Sequence, residues 1–182
     1  MVLNEEQRRQ LLKLARTSIE SVLGGRSPAL SEGDYDETLR RPAGAFVTLR
    51  TKQGDLRGCI GSIRAVEPLI KAVVSSAVSA AFRDPRFFPV GAEEMRELEL
   101  EISVMGPIEP VRNVEEIEVG RDGLIISRGR FAGLLLPQVA TEYGWDRETF
   151  LDQTCVKAGL APGSWRSGEA RIEKFSAEVF GE

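Results

Sequence analysis

Apolar residues recur at helical spacing through Leu11, Leu12, Ala15, Ile19, Val22 and Leu23, which predicts an amphipathic helix closed by Gly24-Gly25. Asn4 with Gln7 three positions later forms a variant capping box at its start. The period changes from Leu98 onward, where Leu98, Leu100, Ile102 and Val104 alternate with Glu99, Glu101 and Ser103, a strand with one face in a core. Ala45 to Thr51 and Leu56 to Ile60 have strand composition around a turn at Lys52-Gln53-Gly54-Asp55, so Cys59 falls where this hairpin ends. Pro68 opens a helix running to about Arg83 with a face of small apolar residues, Ile70, Val73, Val74, Ala77, Val78 and Ala81, and Asp84-Pro85 stops it.

The remaining segments are shorter. Ser27 to Gly44 reads as an irregular connector, and a helical turn is expected around Glu93 to Arg96. Glu118 to Ser127 reads as a hairpin around Arg121-Asp122-Gly123, followed by a strand from Phe131 to Leu136. Pro137 opens a short helix that Gly144 ends, and Trp145 and Phe150 flank Asp146 as a hydrophobic staple for a helix carrying Leu151, Cys155 and Val156 to Gly159. Ile172 to Phe180 makes a last strand with Phe175, Ala177 and Val179 facing one way. Hairpins interleaved with helices, without repeated strand-helix-strand units, give an α+β class with a mixed, mostly antiparallel sheet and flanking helices. With no internal repeat or composition break, residues 1–182 read as a single domain.

Composition narrows the function classes. A net charge of -4 with arginines scattered in short pairs argues against nucleic acid as the main partner. No apolar run reaches the ~20 residues that span a bilayer, and residues 1–25 lack the apolar core of a secretory signal, so a cytoplasmic location is expected. Two distant cysteines, Cys59 and Cys155, are expected reduced. With no histidine and no paired-cysteine motif, zinc is nearly excluded and no metal site is assigned, although a carboxylate site for magnesium or calcium stays open. Phosphate-loop, dinucleotide and serine-hydrolase signatures are absent, and no cofactor is indicated.

Three constellations remain. In Arg57-Gly58-Cys59-Ile60-Gly61-Ser62 the glycines let another backbone approach the sulfur, and Arg57 or the N-terminus of the following helix favours its thiolate; the same residues also suit a small buried hydrophobe beside a bulge. In Asp84-Pro85-Arg86-Phe87-Phe88-Pro89 the acid and the bidentate guanidinium of Arg86 can orient a polar ligand, or simply pair with each other as a helix terminator. Gln138 and Glu142 lie one turn apart on the helix after Pro137, as ligand contacts or as a solvated face. Cys155 falls on an apolar stripe and reads as core.

The series Leu56–Ser62, Asp84-Pro85-Arg86-Phe87, Glu101-Ile102-Ser103-Val104, Gly120–Leu124, Leu135–Ala140, Gly144-Trp145-Asp146 and Cys155–Leu160 resembles, in order, the AMMECR domain family, whose microbial members are also called AmmeMemoRadiSam system protein A. The resemblance covers essentially the whole chain. It implies an α+β fold of two unequal subdomains with the glycine-cysteine motif lining a cleft between them. It also implies a Memo-type, dioxygenase-like protein and a radical S-adenosylmethionine protein as partners. Some members resemble this chain but carry histidine where it has Asp122, so no histidine mechanism transfers.

Two functional readings follow. In the first, an enzyme or enzyme subunit uses Cys59 as nucleophile or redox thiol, with Arg57 stabilising it and Gly58, Gly61, Ser62, Asp84, Arg86, Gln138 and Glu142 binding a small polar substrate. In the second, a non-catalytic module presents the same residues to a protein partner or a pathway intermediate.

Overall fold

The computed structural model describes residues 2–182, which cluster into two compact units. The first runs through Met105 and includes Glu178–Glu182, and the second is Gly106–Ala177. Five strand pairings among the described residues, two in the first unit and three in the second, are antiparallel, and the class is α+β, as the sequence predicts.

The first unit begins with α1 (Glu5–Leu23), and the capping box forms as read: Asn4 accepts from Gln7 N and Gln7 accepts from Asn4 N, each at 2.9 Å. Asn4→Ala removes one side of this reciprocal pair and is expected to cost about 1 kcal/mol in thermal or urea unfolding. Leu11, Ala15 and Ile19 are fully buried, and Leu14 joins them. The connector read over Ser27 to Gly44 contains a helix that periodicity did not show, α2 (Glu37–Arg40). Asp36 starts it by accepting from Leu39 N and from Gln7 Nε2, and Leu39 is fully buried. One capping carboxylate and one anchoring leucine suffice for a single turn, too short for a period.

Strands β1 (Ala45–Thr51), β2 (Leu56–Ser62) and β3 (Leu98–Met105) form a sheet in the order β2-β1-β3, and α3 (Leu69–Phe82) packs against β1 and β2. The predicted face of α3 is observed, with Ile70, Val73, Ala77 and Ala81 buried. Ala45, Val47 and Leu49 of β1 and Leu98, Leu100, Ile102 and Val104 of β3 fill the same core. The C-terminal residues close this unit: Glu182 N donates to Leu100 O, and the Glu178 carboxylate accepts from Leu3 N and Arg8.

The second unit contains β4 (Glu109–Pro110), β5 (Asp122–Arg128), β6 (Phe131–Leu135), α4 (Pro137–Glu142), α5 (Arg147–Lys157) and β7 (Arg171–Gly181) up to Ala177. β7 pairs β4 and β5, and β5 pairs β6. The hairpin expected at Asp122-Gly123 is displaced. Asp122 opens β5, the preceding turn carries Gly120 at φ +89°, and the β5–β6 turn carries Gly129 at φ +59°. Asp122 is held there by accepting from Glu118 N and from Arg121, while Gly123 is demanded by the Phe175 ring lying where its Cβ would sit. The Asp-Gly pair is thus a strand start, not a tip. Asp146 caps α5 by accepting from Thr149 N, and Trp145 and Phe150 pack in one cluster, as the staple requires. Of the face read on the last strand, Phe175 is buried, Ala177 half-buried and Val179 exposed. No helix among the described residues is long and apolar enough to cross a membrane.

Candidate functional site

β2 is the edge of its sheet, and the Cys59 motif occupies its middle, not the end of the hairpin, because the strand continues to Ser62. Register places Cys59 opposite Thr48, Gly58 opposite Leu49 and Ile60 opposite Val47, with an irregularity at Leu49/Arg50 that leaves Arg57 unpaired. Gly58 and Ile60 therefore turn toward the core and α3, whereas Cys59 turns to the other face of the sheet. Gly58 is buried so closely under α3 that a Cβ there would overlap the Ala80 carbonyl oxygen.

Cys59 is half-buried, and Thr48 Oγ1 donates to its Sγ at 3.2 Å. Its backbone is clamped from outside. Cys59 N donates to Asp84 Oδ2 at 2.9 Å, and Arg86 Nη2 reaches the Cys59 carbonyl at 3.5 Å. Arg86 also grips both oxygens of Asp84, with Nε donating to Oδ1 at 2.9 Å and Nη2 to Oδ2 at 2.7 Å. Asp84 is 4% exposed. The hydrogen bond from Arg86 is the main force holding its carboxyl far below the ordinary carboxylate range, with the Cys59 amide adding to it against the opposing effect of burial. The Asp84-Pro85-Arg86 loop thus acts as a short neighbouring strand for one residue, satisfying the N–H and C=O that an edge would otherwise leave open.

Arg57 makes a salt bridge to Glu94 and donates through Nη2 to Phe88 O at 2.9 Å. Its guanidinium and that of Arg86 sit over the Phe87 ring at 5.7 and 5.4 Å. Arg57 Nη1 is buried without a partner. Of the two arginines read as candidates, Arg86 is the one whose guanidinium reaches the Cys59 backbone carbonyl. Gly61 lies beside Phe46, and Ser62 Oγ accepts from Arg64 N at 3.1 Å. Gln138 and Glu142 belong to α4 in the second unit, Glu142 exposed and Gln138 with a buried, unpartnered Oε1. Cys155 is fully buried in α5, where burial pushes its thiol up from the ordinary value. Among the described residues no three cysteine, aspartate or glutamate side chains converge on a metal position.

Thr48, Glu94 and the Phe88 carbonyl are members of the site that no sequence motif marks. Thr48 has a partial signal: the turn at Lys52 to Asp55 fixes which residue of β1 faces Cys59, to within the one-residue shift that the irregularity introduces.

The AMMECR1 family model matches residues 12–180. The chain belongs to the AMMECR1 family. A protein of Methanothermobacter thermautotrophicus is 47% identical over 99% of this chain and 96% of its own length. A Pyrococcus furiosus protein is 45% identical over 94% of this chain and 86% of its own. The crystal structure of an uncharacterized Pyrococcus horikoshii protein superposes with a TM-score of 0.91 at 42% identity, over 99% of this chain and 93% of that one. In this AMMECR1 chain the Cys59 strand and its clamp lie within the first unit.

Proposed function

We propose that this AMMECR1 chain is an enzyme, or the thiol-bearing subunit of one, with Cys59 as its working group. The observation that carries the reading is the clamp: a buried ionised carboxylate, costly to desolvate, is fastened to the backbone of Cys59, a residue that is itself only half-buried. Thr48 donates to the same sulfur, and a donated hydrogen bond stabilises sulfur when it carries charge. The thiolate, its proton lost to solvent, adds to the carbon of a polarised carbonyl in a small polar substrate; the C–S bond forms as the C=O π pair moves onto oxygen, which takes a proton from solvent. Arg57 is a positioning residue that ties the Phe87-Phe88 loop and Glu94 to the strand. Gly58 and Gly61 keep the strand slim, and Gln138 and Glu142 are ligand contacts within the second unit. The partners in this reading are a Memo-like protein and a radical S-adenosylmethionine protein, supported by the likeness of the motif series to system protein A.

The test is intact-mass spectrometry of the native protein after incubation with low-molecular-weight extract of the cells that make it. A mass increment mapped to Cys59 and lost in Cys59→Ser supports the reading. An unchanged mass with Cys59 still fully alkylatable rejects the covalent role and leaves the non-catalytic module.

A further inference from the structure

A second feature of β2 lies away from the sulfur. A pocket of about 170 Å³ opens between the outer edge of the strand and α3, lined by Ile60, Gly61 and Ser62 on one side and Ala72, Ser76 and Ser79 on the other. Arg64, Val66 and Glu67 complete its rim. Ile60 and Ala45, which also line it, belong to the core face, whereas Cys59 Sγ is bonded to Thr48 on the opposite face. The pocket is thus independent of the thiol.

Several of its donors have no protein acceptor among the described residues, whereas Ser75 Oγ is bonded to Ala72 O at 3.2 Å. The Arg64 guanidinium has no carboxylate within 4.0 Å among the described residues, whereas Arg57, Lys71 and Arg86 nearby are each paired with one. Ser79 is half-buried and its hydroxyl has no protein partner among the described residues, unlike Ser76, which donates to Ala45 O at 3.3 Å. Ser62 Oγ accepts from Arg64 N, so its own hydrogen stays available. Cys59 sends its N–H outward to Asp84, and in an antiparallel ladder the residue two further on faces the same way, so the Gly61 N–H also points outward, past the end of the clamp. Around these donors the walls are small and apolar, Ala45 and Ala72, with Val66 at the mouth, and one carboxylate, Glu67, stands at the rim with a single long contact among the described residues, from Ser75 Oγ at 3.5 Å.

We infer that this pocket binds a small α-carboxylate bearing an N–H donor, such as L-alanine. The carboxylate takes the Gly61 N–H, the Ser62 and Ser79 hydroxyls and Arg64. The methyl-sized side chain lies on Ala72 and Val66, and the amino group faces Glu67. A free amino acid and the last residue of a peptide share this chemistry, and Glu67 distinguishes them, because only the free amino acid presents an ammonium there.

The experiment is a ¹H–¹⁵N NMR titration of the full chain with L-alanine, N-acetyl-L-alanine and, as a control lacking the N–H, propionate. The expected result is saturable movement of the Gly61 and Ser62 amide signals with L-alanine at concentrations up to about 20 mM. Arg64→Ala at the rim and Ser79→Ala on the α3 wall are each expected to weaken it about tenfold with the rest of the spectrum unchanged. Glu67→Gln weakening L-alanine alone assigns the free amino acid, and equal binding of the N-acetyl form, untouched by Glu67→Gln, assigns a chain end. Absence of movement with both amino-acid ligands, movement unaffected by Arg64→Ala, or propionate binding as well as L-alanine overturns the inference. None of these outcomes bears on alkylation of Cys59, so the two readings fail separately.

Discussion

Gly58→Ala is expected to lower the unfolding midpoint by about 10 °C. The added Cβ would overlap the Ala80 carbonyl oxygen and lie 3.2 Å from its carbon, both backbone atoms inside α3 that no side-chain rotation can clear. Either the helix lifts from the sheet or β2 leaves β1, and overpacking of this kind costs about 3 kcal/mol, which for a chain of this size corresponds to the stated shift. The matched control is Gly33→Ala, where the new methyl meets open space and the backbone is unstrained, and there the midpoint should stay within about 1–2 °C. Differential scanning calorimetry of the two variants checks the comparison. Equal melting of Gly58→Ala and wild type would mean that α3 does not approach the strand this closely.

Asp84→Asn is the next most damaging change expected. The Asp84 carboxylate accepts from Cys59 N, Arg86 N and the Arg86 guanidinium, and hydrogen bonds to a charged group contribute about 1.5–3 kcal/mol each before non-additivity. The asparagine keeps the shape but loses the charge, and is expected to destabilise by about 2–4 kcal/mol at pH 7 in urea unfolding. The pH dependence has a definite sign. Asp84 is held lower in the folded chain than its ordinary 3.8, so the unfolded chain takes up the proton first. The stabilisation is complete above that ordinary value and is lost as pH falls through the folded one. The gap between wild type and Asp84→Asn should therefore narrow on going from neutral to about pH 3. Asp36, Asp122 and Asp146 are also held low, but they are common to both proteins and cancel in the difference. A gap of the same size at both pH values would show that Asp84 is not anchored by its charge.

The elements with strong periods or caps are legible in the chain. The Asn4-Gln7 box, the Leu98 alternation, the Asp146 staple and the turn from Lys52 to Asp55, with Gly54 at positive φ, all stand where the sequence puts them. Each is decided by residues within one or two turns of each other. What is not legible depends on partners far along the chain. Cys59 meets Thr48 instead of its neighbour only because the strand irregularity at Arg57 shifts the register by one residue, and a one-residue shift exchanges the two faces. Asp84 and Arg86 read from sequence as ligand groups or a helix terminator, and neither reading includes the backbone of a strand 25 residues earlier, which is where Asp84 is bonded. The α2 turn and the displacement of Asp122 have the same origin, since Asp36 is held by Gln7 and Gly123 is required by Phe175.

Everything proposed for Cys59 requires a reachable sulfur whose charge Thr48 supports, and the rate of iodoacetamide alkylation at neutral pH probes this, with fully buried Cys155 as the internal reference. Cys59 should be alkylated in the native protein while Cys155 is spared, and Thr48→Val should slow Cys59 several-fold without changing the unfolded-state rate. Equal protection of both cysteines, or a Thr48→Val variant that reacts as fast as wild type, would refute the role assigned to this sulfur.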